Sequence, residues 1–211
     1  MVGTTEDVRG ARQLRRLETL TDVVYAIVLW RLFMLIPRPG IATGEWTSLR
    51  DYLANEWIAL TLVTIGLAFT IIYWMQSNTL FSALKRTDGR HTALCIVQIF
   101  FVLIFLYSLR LGIEVRSGLG TRLVESCAAA AVGLTAAWAW NYARRGRRLL
   151  RPEVSDEEAQ ALAKRIMAEP ITAIATIPMA FLGPVFWELT WFGYPFLARL
   201  LRLPGGENRE G

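Results

Sequence analysis

Long apolar runs separated by short polar connections recur along the whole chain, and each run sets up a helix. The first extends from Arg16 to Ile36, where Pro37 and Pro39 fix φ and remove backbone donors, so a helix is predicted to stop there. The second is uncharged from Trp57 to Met75. Trp57 stands at one end and Tyr73-Trp74 at the other, where amphipathic rings favour the headgroup level of a bilayer. The third is uncharged from Thr92 to Leu109 and gives way at Arg110, Glu114 and Arg116, with Gly118 and Gly120 marking a turn. The fourth, Leu123 to Ala143, is rich in small residues, Ala128 to Ala131 and Gly133, a surface that lets a second helix approach closely in lipid.

Beyond the fourth run, Arg144, Arg145, Arg147, Arg148 and Arg151 form a basic collar. Ser155-Asp156-Glu157-Glu158 then reads as a helix start, with a capping hydroxyl and carboxylates at the positive dipole end. Pro170 to Leu203 admits either one span plus an interfacial helix or a hairpin. A turn at Gly183-Pro184 gives two helices of about 18 residues each, long enough to cross, and the hairpin is the expectation adopted. It returns Arg199 and Arg202 to the side of the other basic loops.

The pattern therefore predicts an all-α integral membrane protein with six transmembrane helices. The Lys and Arg of the arm, of the loops after the second and fourth spans, and of the tail then share one side, and the positive-inside rule places both termini in the cytoplasm. The expected division is a polar N-terminal arm over 1–15, mobile or interfacial, a transmembrane domain over 16–203 and a cytoplasmic tail over 204–211. No internal repeat is visible.

Composition agrees with the pattern. A hydrophobic fraction of 54% and a mean hydropathy of +0.35 are too apolar for a soluble domain of this length. The net charge of +5 gathers beside apolar segments and forms no stripe interleaved with aromatics, so no nucleic-acid surface is predicted. Cys95 and Cys127 fall near opposite membrane faces in this topology, which argues against a disulfide. The first apolar run lacks a small-residue cleavage pattern, so no cleavable signal peptide is expected. His91 is the only histidine, and neither metal-ligand spacing, a phosphate-binding glycine loop nor a nucleophile elbow is present. Neither a cofactor, a metal nor an enzymatic activity is expected.

Candidate chemistry concentrates on the first helix. Ile27, Arg31 and Met34 lie at i, i+4 and i+7 and share one face. A face that is apolar, cationic and apolar again suits either pore lining or buried packing. Arg31 lies about 6 Å along the axis from Ile27 and could snorkel outward, or pair with Glu56, Glu114 or Glu188. Arg16 and Asp22 do not share a helical face, so each is expected to bond to neighbouring helices and hold the inner end of the first helix.

Two ordered motifs carry a family resemblance. Arg16, Leu20, Thr21 and Asp22, followed by Tyr25-Ala26-Ile27, resemble the Arg-x-x-x-Phe-Ser-Asp signature and early Phe-Ala-Ile of the transmembrane protein 175 family, the endolysosomal potassium channel and its prokaryotic relatives. Tyr73-Trp74, then Thr79-Leu80-Phe81 and Lys85-Arg86-Thr87-Asp88, resemble that family's pattern after its second span. The resemblance implies a six-helix subunit, a homotetramer around a central pore lined by the first helix, and cation conduction preferring potassium. It puts the family's isoleucine constriction on Ile27 and the next pore-facing positions on Arg31 and Met34.

This chain also departs from the family. Gln76, Ser77 and Asn78 occupy the region where a histidine often follows the Tyr-Trp pair, and Trp30-Arg31 replaces a small hydroxyl residue and an aliphatic one. Four arginines around one axis would repel potassium. The expectation is a potassium-preferring channel in the cell membrane, with permeant potassium as its ion and with copies of itself and the lipid bilayer as partners. A relative passing anions or protons and a non-conducting membrane scaffold stand as alternatives.

Overall fold

A computed structural model describes residues 5–38, 48–114 and 118–202, apart from the side chains at 58, 201 and 202. The expected tail over 204–211 lies outside the described residues, as do Met1 to Thr4, Pro39, Gly40, Glu45, Arg116 and Leu203. The described chain consists of seven α-helices: α1 Thr5–Phe33, α2 Leu49–Ser82, α3 Gly89–Glu114, α4 Leu119–Arg144, α5 Asp156–Leu182, α6 Pro184–Trp191 and α7 Tyr194–Arg202. Four are long and apolar enough to cross a bilayer: α2 from Ala59, α3, α4 and α5. Within its apolar half α1 carries Glu18, Asp22 and Arg31, which separates it in composition from those four.

The helix ends follow local chemistry. Ser48 accepts from the Asp51 amide at the start of α2, and Ser155 accepts from the Glu158 amide at the start of α5, as its sequence predicts. The last turn of α1 tightens ahead of Pro37, with Leu35 bonded to Leu32 and Ile36 to Phe33.

The structure refines three expectations. Residues 5–15 of the expected arm are helical, because α1 starts at Thr5 and runs through Arg16 unbroken. Gly10 allows this. A Cβ there would lie 3.0 Å from the Thr87 carbonyl, and the Gly10 carbonyl accepts from the Thr87 amide. Asp7 adds an ion pair to Arg86 at 2.8 Å. Second, Pro170 does not begin a span; it lies inside α5. Its ring is received by Gly133 of α4, where a Cβ would stand 2.6 Å from Pro170 Cδ. Third, the chain reverses at Gly183 (φ 120°) as expected, but the returning arm is two short helices that break at Phe192–Gly193.

The small residues of α4 form the centre of the subunit, packed against α3 and α5, with Ala129 and Val132 fully buried. One apolar cluster joins Leu14, Leu17, Leu84, Cys95, Trp140 and Ile166, and a second joins Tyr25, Val28, Tyr73, Phe105, Ala173 and Trp187. The basic collar turns back on the α2–α3 connection. Arg151 donates from its amide to Ala83 O and from Nε to Leu84 O, both at 3.0 Å, while Arg147 pairs with Asp156 at 2.5 Å. Both cysteines are free thiols.

Candidate functional site

The periodicity of α1 divides it into two faces. Leu14, Leu17, Thr21, Tyr25, Val28 and Leu32 are buried against the rest of the subunit. On the other side Leu20, Val23, Ile27, Trp30 and Met34 are exposed at alternating three- and four-residue steps. Ile27 is 54% exposed and Met34 41%, so each keeps a large part of its surface outside the subunit's own packing. Arg31 lies on the same side, exposed, and pairs with no acidic residue among those described. Of the three acidic residues proposed for it, Glu114 is engaged by Arg110 at 2.7 Å.

The signature residues separate by role. Asp22 accepts from the indole Nε1 of Trp74 at 2.8 Å, bonding α1 to α2. Thr21 is buried and its hydroxyl has no partner among the described residues; Leu20 points away from the subunit. Arg16 is exposed and makes no ion pair among the described residues. The two motifs therefore meet through Asp22 and Trp74, while Arg16 stays apart.

Tyr73 belongs to a second group. Its hydroxyl donates to Glu169 Oε1 at 2.5 Å, and its ring packs edge-on to Phe105. Glu169, on α5, is 1% exposed, and Oε2 lies against Gly133 without a hydrogen-bond partner among the described residues. Sequence reasoning missed Glu169, and it missed Arg122 and Glu125 on α4, both also buried. An ionisable residue inside an apolar run was the available signal.

At the α2–α3 turn, Asp88 accepts from the His91 amide at 2.9 Å and from the Tyr142 hydroxyl at 2.7 Å. Partial burial raises its carboxyl, but these donors and the nearby imidazole outweigh it and hold Asp88 below its ordinary value.

The long apolar helices and the ionisable groups buried among them define an integral membrane protein of the helical class. The family resemblance is borne out. The family model described as endosomal/lysosomal potassium channel TMEM175 matches residues 16–105, the stretch that holds both motifs. The fold is similar to a lysosomal potassium-selective channel TMEM175 homologue from Chamaesiphon minutus, at 18% identity and TM-score 0.72, over 90% of this chain and 96% of that one. It is also similar to a variant of the potassium channel MtTMEM175 in complex with a nanobody fusion, at 15% identity and TM-score 0.60, over 88% and 89%. No curated protein matches the chain. The proteins it resembles are described as potassium channels.

Proposed function

We propose that the chain is a potassium-preferring channel subunit of the cell membrane, a prokaryotic plasma membrane, and that four copies surround a pore lined by α1. In this reading each subunit crosses six times, with α1 as the first span and both termini cytoplasmic. Helices α6 and α7 together form the last span: laid end to end, their 8 and 9 residues rise about 26 Å, near the thickness of the hydrocarbon layer.

One observation carries the proposal: the exposed face of α1. Its three- and four-residue spacing is the seam of a helix bundle, and none of the described residues fills it. Lipid would satisfy Leu20, Val23, Ile27 and Met34 equally well, but it would satisfy Arg31 only if the side chain snorkelled to the headgroup level. A cation on that stripe favours a water-filled axis over hydrocarbon. Ile27 and Met34 are then the hydrophobic constriction, closing by dewetting, and Asp22 on Trp74 anchors the inner end of the helix.

That Arg31 pairs with no acidic residue among those described also supports a second reading, an anion-leaning pore in which the arginine ring sets the charge of the pathway. Ion flux into liposomes under opposed potassium and chloride gradients, comparing the parent with Arg31→Leu, separates the two. A parent reversal potential near that of potassium supports the first. A silent or chloride-leaning parent that admits potassium as Arg31→Leu establishes the second. Silence of both folded proteins leaves a non-conducting scaffold.

A further inference from the structure

Glu125 presents a problem that the channel reading leaves unsolved. It lies on α4, is 5% exposed, and has no hydrogen bond or ion pair among the described residues. A carboxylate buried in this way is costly unless a cation or a donor meets it. Arg122, one turn earlier, does not supply one: its Nη2 donates to the Ala180 carbonyl at 3.3 Å, and it is not within ion-pair distance of Glu125.

What does adjoin Glu125 is a cavity of about 30 Å³ lined by Trp57 and Thr61 of α2 and by Trp187, Glu188 and Trp191 of α6. Its walls are held by their own bonds. The Trp187 indole donates to Ser126 Oγ at 2.9 Å, and the same oxygen accepts from Thr176 at 2.7 Å, fixing α6 to α4 and α5. Trp191 stands edge-on to Trp187 at 6.2 Å and to Phe69 at 5.1 Å between centroids. Little ordering is left for a ligand to impose.

We infer that this pocket binds a primary ammonium group, with Glu125 accepting its N–H donors and the tryptophans giving it their faces. Indole is the strongest cation–π ring, and two carboxylates beside three of them select for positive charge. Size admits the group. A water-sized group needs about 10–15 Å³, so the cavity has room for an –NH3+ end. Depth narrows the source. Trp57 immediately precedes the apolar part of α2, and Glu125 lies about 9 Å from the first residue of α4, at the shallow end of the apolar layer. An ethanolamine lipid headgroup and a soluble alkylamine both present the required group there. Because α1 contributes none of the lining residues, the inference does not depend on what α1 conducts.

The test uses the purified full-length protein in a neutral detergent. Thermal unfolding is followed with added phosphatidylethanolamine, phosphatidylglycerol, ethylamine or potassium chloride, and retained lipid is counted by native mass spectrometry. The parent is expected to gain Tm with phosphatidylethanolamine, with ethylamine, or with both; the first alone identifies a lipid source, the second alone a soluble one. Glu125→Gln is expected to weaken binding about tenfold, from the loss of a charge-assisted bond. Trp57→Leu, at an exposed wall, is expected to weaken it about threefold. Without ligand, Glu125→Gln leaves Tm unchanged or higher. The inference is overturned if neither amine source binds, if potassium chloride matches ethylamine, or if Glu125→Gln binds as the parent does. A sharp loss of Tm in unliganded Glu125→Gln also overturns it, because Arg122 would then be the partner of Glu125.

Discussion

Tyr73 donates its hydroxyl to Glu169 Oε1 at 2.5 Å, while the next residue, Trp74, donates its indole to Asp22 at 2.8 Å. Consecutive residues on a helix project about 100° apart, so α2 grips α5 with one side chain and α1 with the other. The helix bearing the exposed stripe is thereby tied to the buried acid of α5 through two adjacent positions.

Tyr73→Phe removes the donor that Glu169 has among the described residues and leaves a buried carboxyl group unsatisfied. The expected cost is about 1–3 kcal/mol, read from unfolding in detergent. Tyr73→Phe combined with Glu169→Leu removes both partners and is expected to recover most of that loss. A neutral Tyr73→Phe would show that the bond carries no weight.

Gly133 lets α4 and α5 approach where Glu169 and Pro170 sit. A Cβ there would overlap Glu169 Oε2 and stand 2.6 Å from Pro170 Cδ, so Gly133→Ala is expected to destabilise by about 1–3 kcal/mol. Gly112 is the control. A Cβ there meets nothing within 4 Å, and Gly112→Ala is expected to be neutral or to stabilise by up to about 1 kcal/mol. Equal effects at the two sites would mean that helix propensity, not packing, decides.

The bond between Asp22 and Trp74 is exposed in the single subunit, which limits its value. A double-mutant cycle with Asp22→Asn and Trp74→Phe is expected to return a coupling of about 0.5–1.5 kcal/mol in unfolding free energy. Additive effects would mean that the two motifs meet without supporting each other.

The spans were legible because in a bilayer apolar length maps onto helix length, and the runs beginning at Trp57, Thr92 and Leu123 each lie inside one helix. The pairing of the two motifs was legible only in part. The spacing of Arg16 and Asp22 predicted bonds to neighbouring helices; Asp22 makes one, and Arg16 makes none among the described residues. The N-terminal extension of α1 was hidden because its stabilisation is tertiary, Gly10 against Thr87 and Asp7 against Arg86. Glu125 and Glu169 were hidden in stretches whose small residues dominate the pattern. The break at Phe192–Gly193 leaves no mark in hydropathy, since both short helices lie in one apolar run.

Asp88 gives the chain a pH dependence of known sign. Its carboxyl is held below the ordinary value in the folded protein, so its contribution is complete above the unfolded pKa of about 4 and is lost as pH falls through the folded value. Asp88→Asn is therefore expected to lower Tm at neutral pH. The gap to the parent should close as pH falls below about 4. A gap that stays constant with pH would assign the loss to hydrogen-bond geometry instead of charge.

Ile27 separates a pore from a packed seam. If α1 lines a conducting axis, Ile27 is a ring of apolar side chains whose dewetting resists ions, and a polar side chain of similar reach wets it. Ile27→Asn is then expected to raise potassium flux into liposomes while costing little in Tm, because Ile27 is 54% exposed and has less packing within the subunit to lose than a core residue. Val28→Asn, on the buried face one residue away, is expected to do the reverse and unfold the protein without opening a path. If Ile27→Asn lowers Tm as Val28→Asn does and admits no ion, the stripe is a closed packing seam and the axis carries nothing.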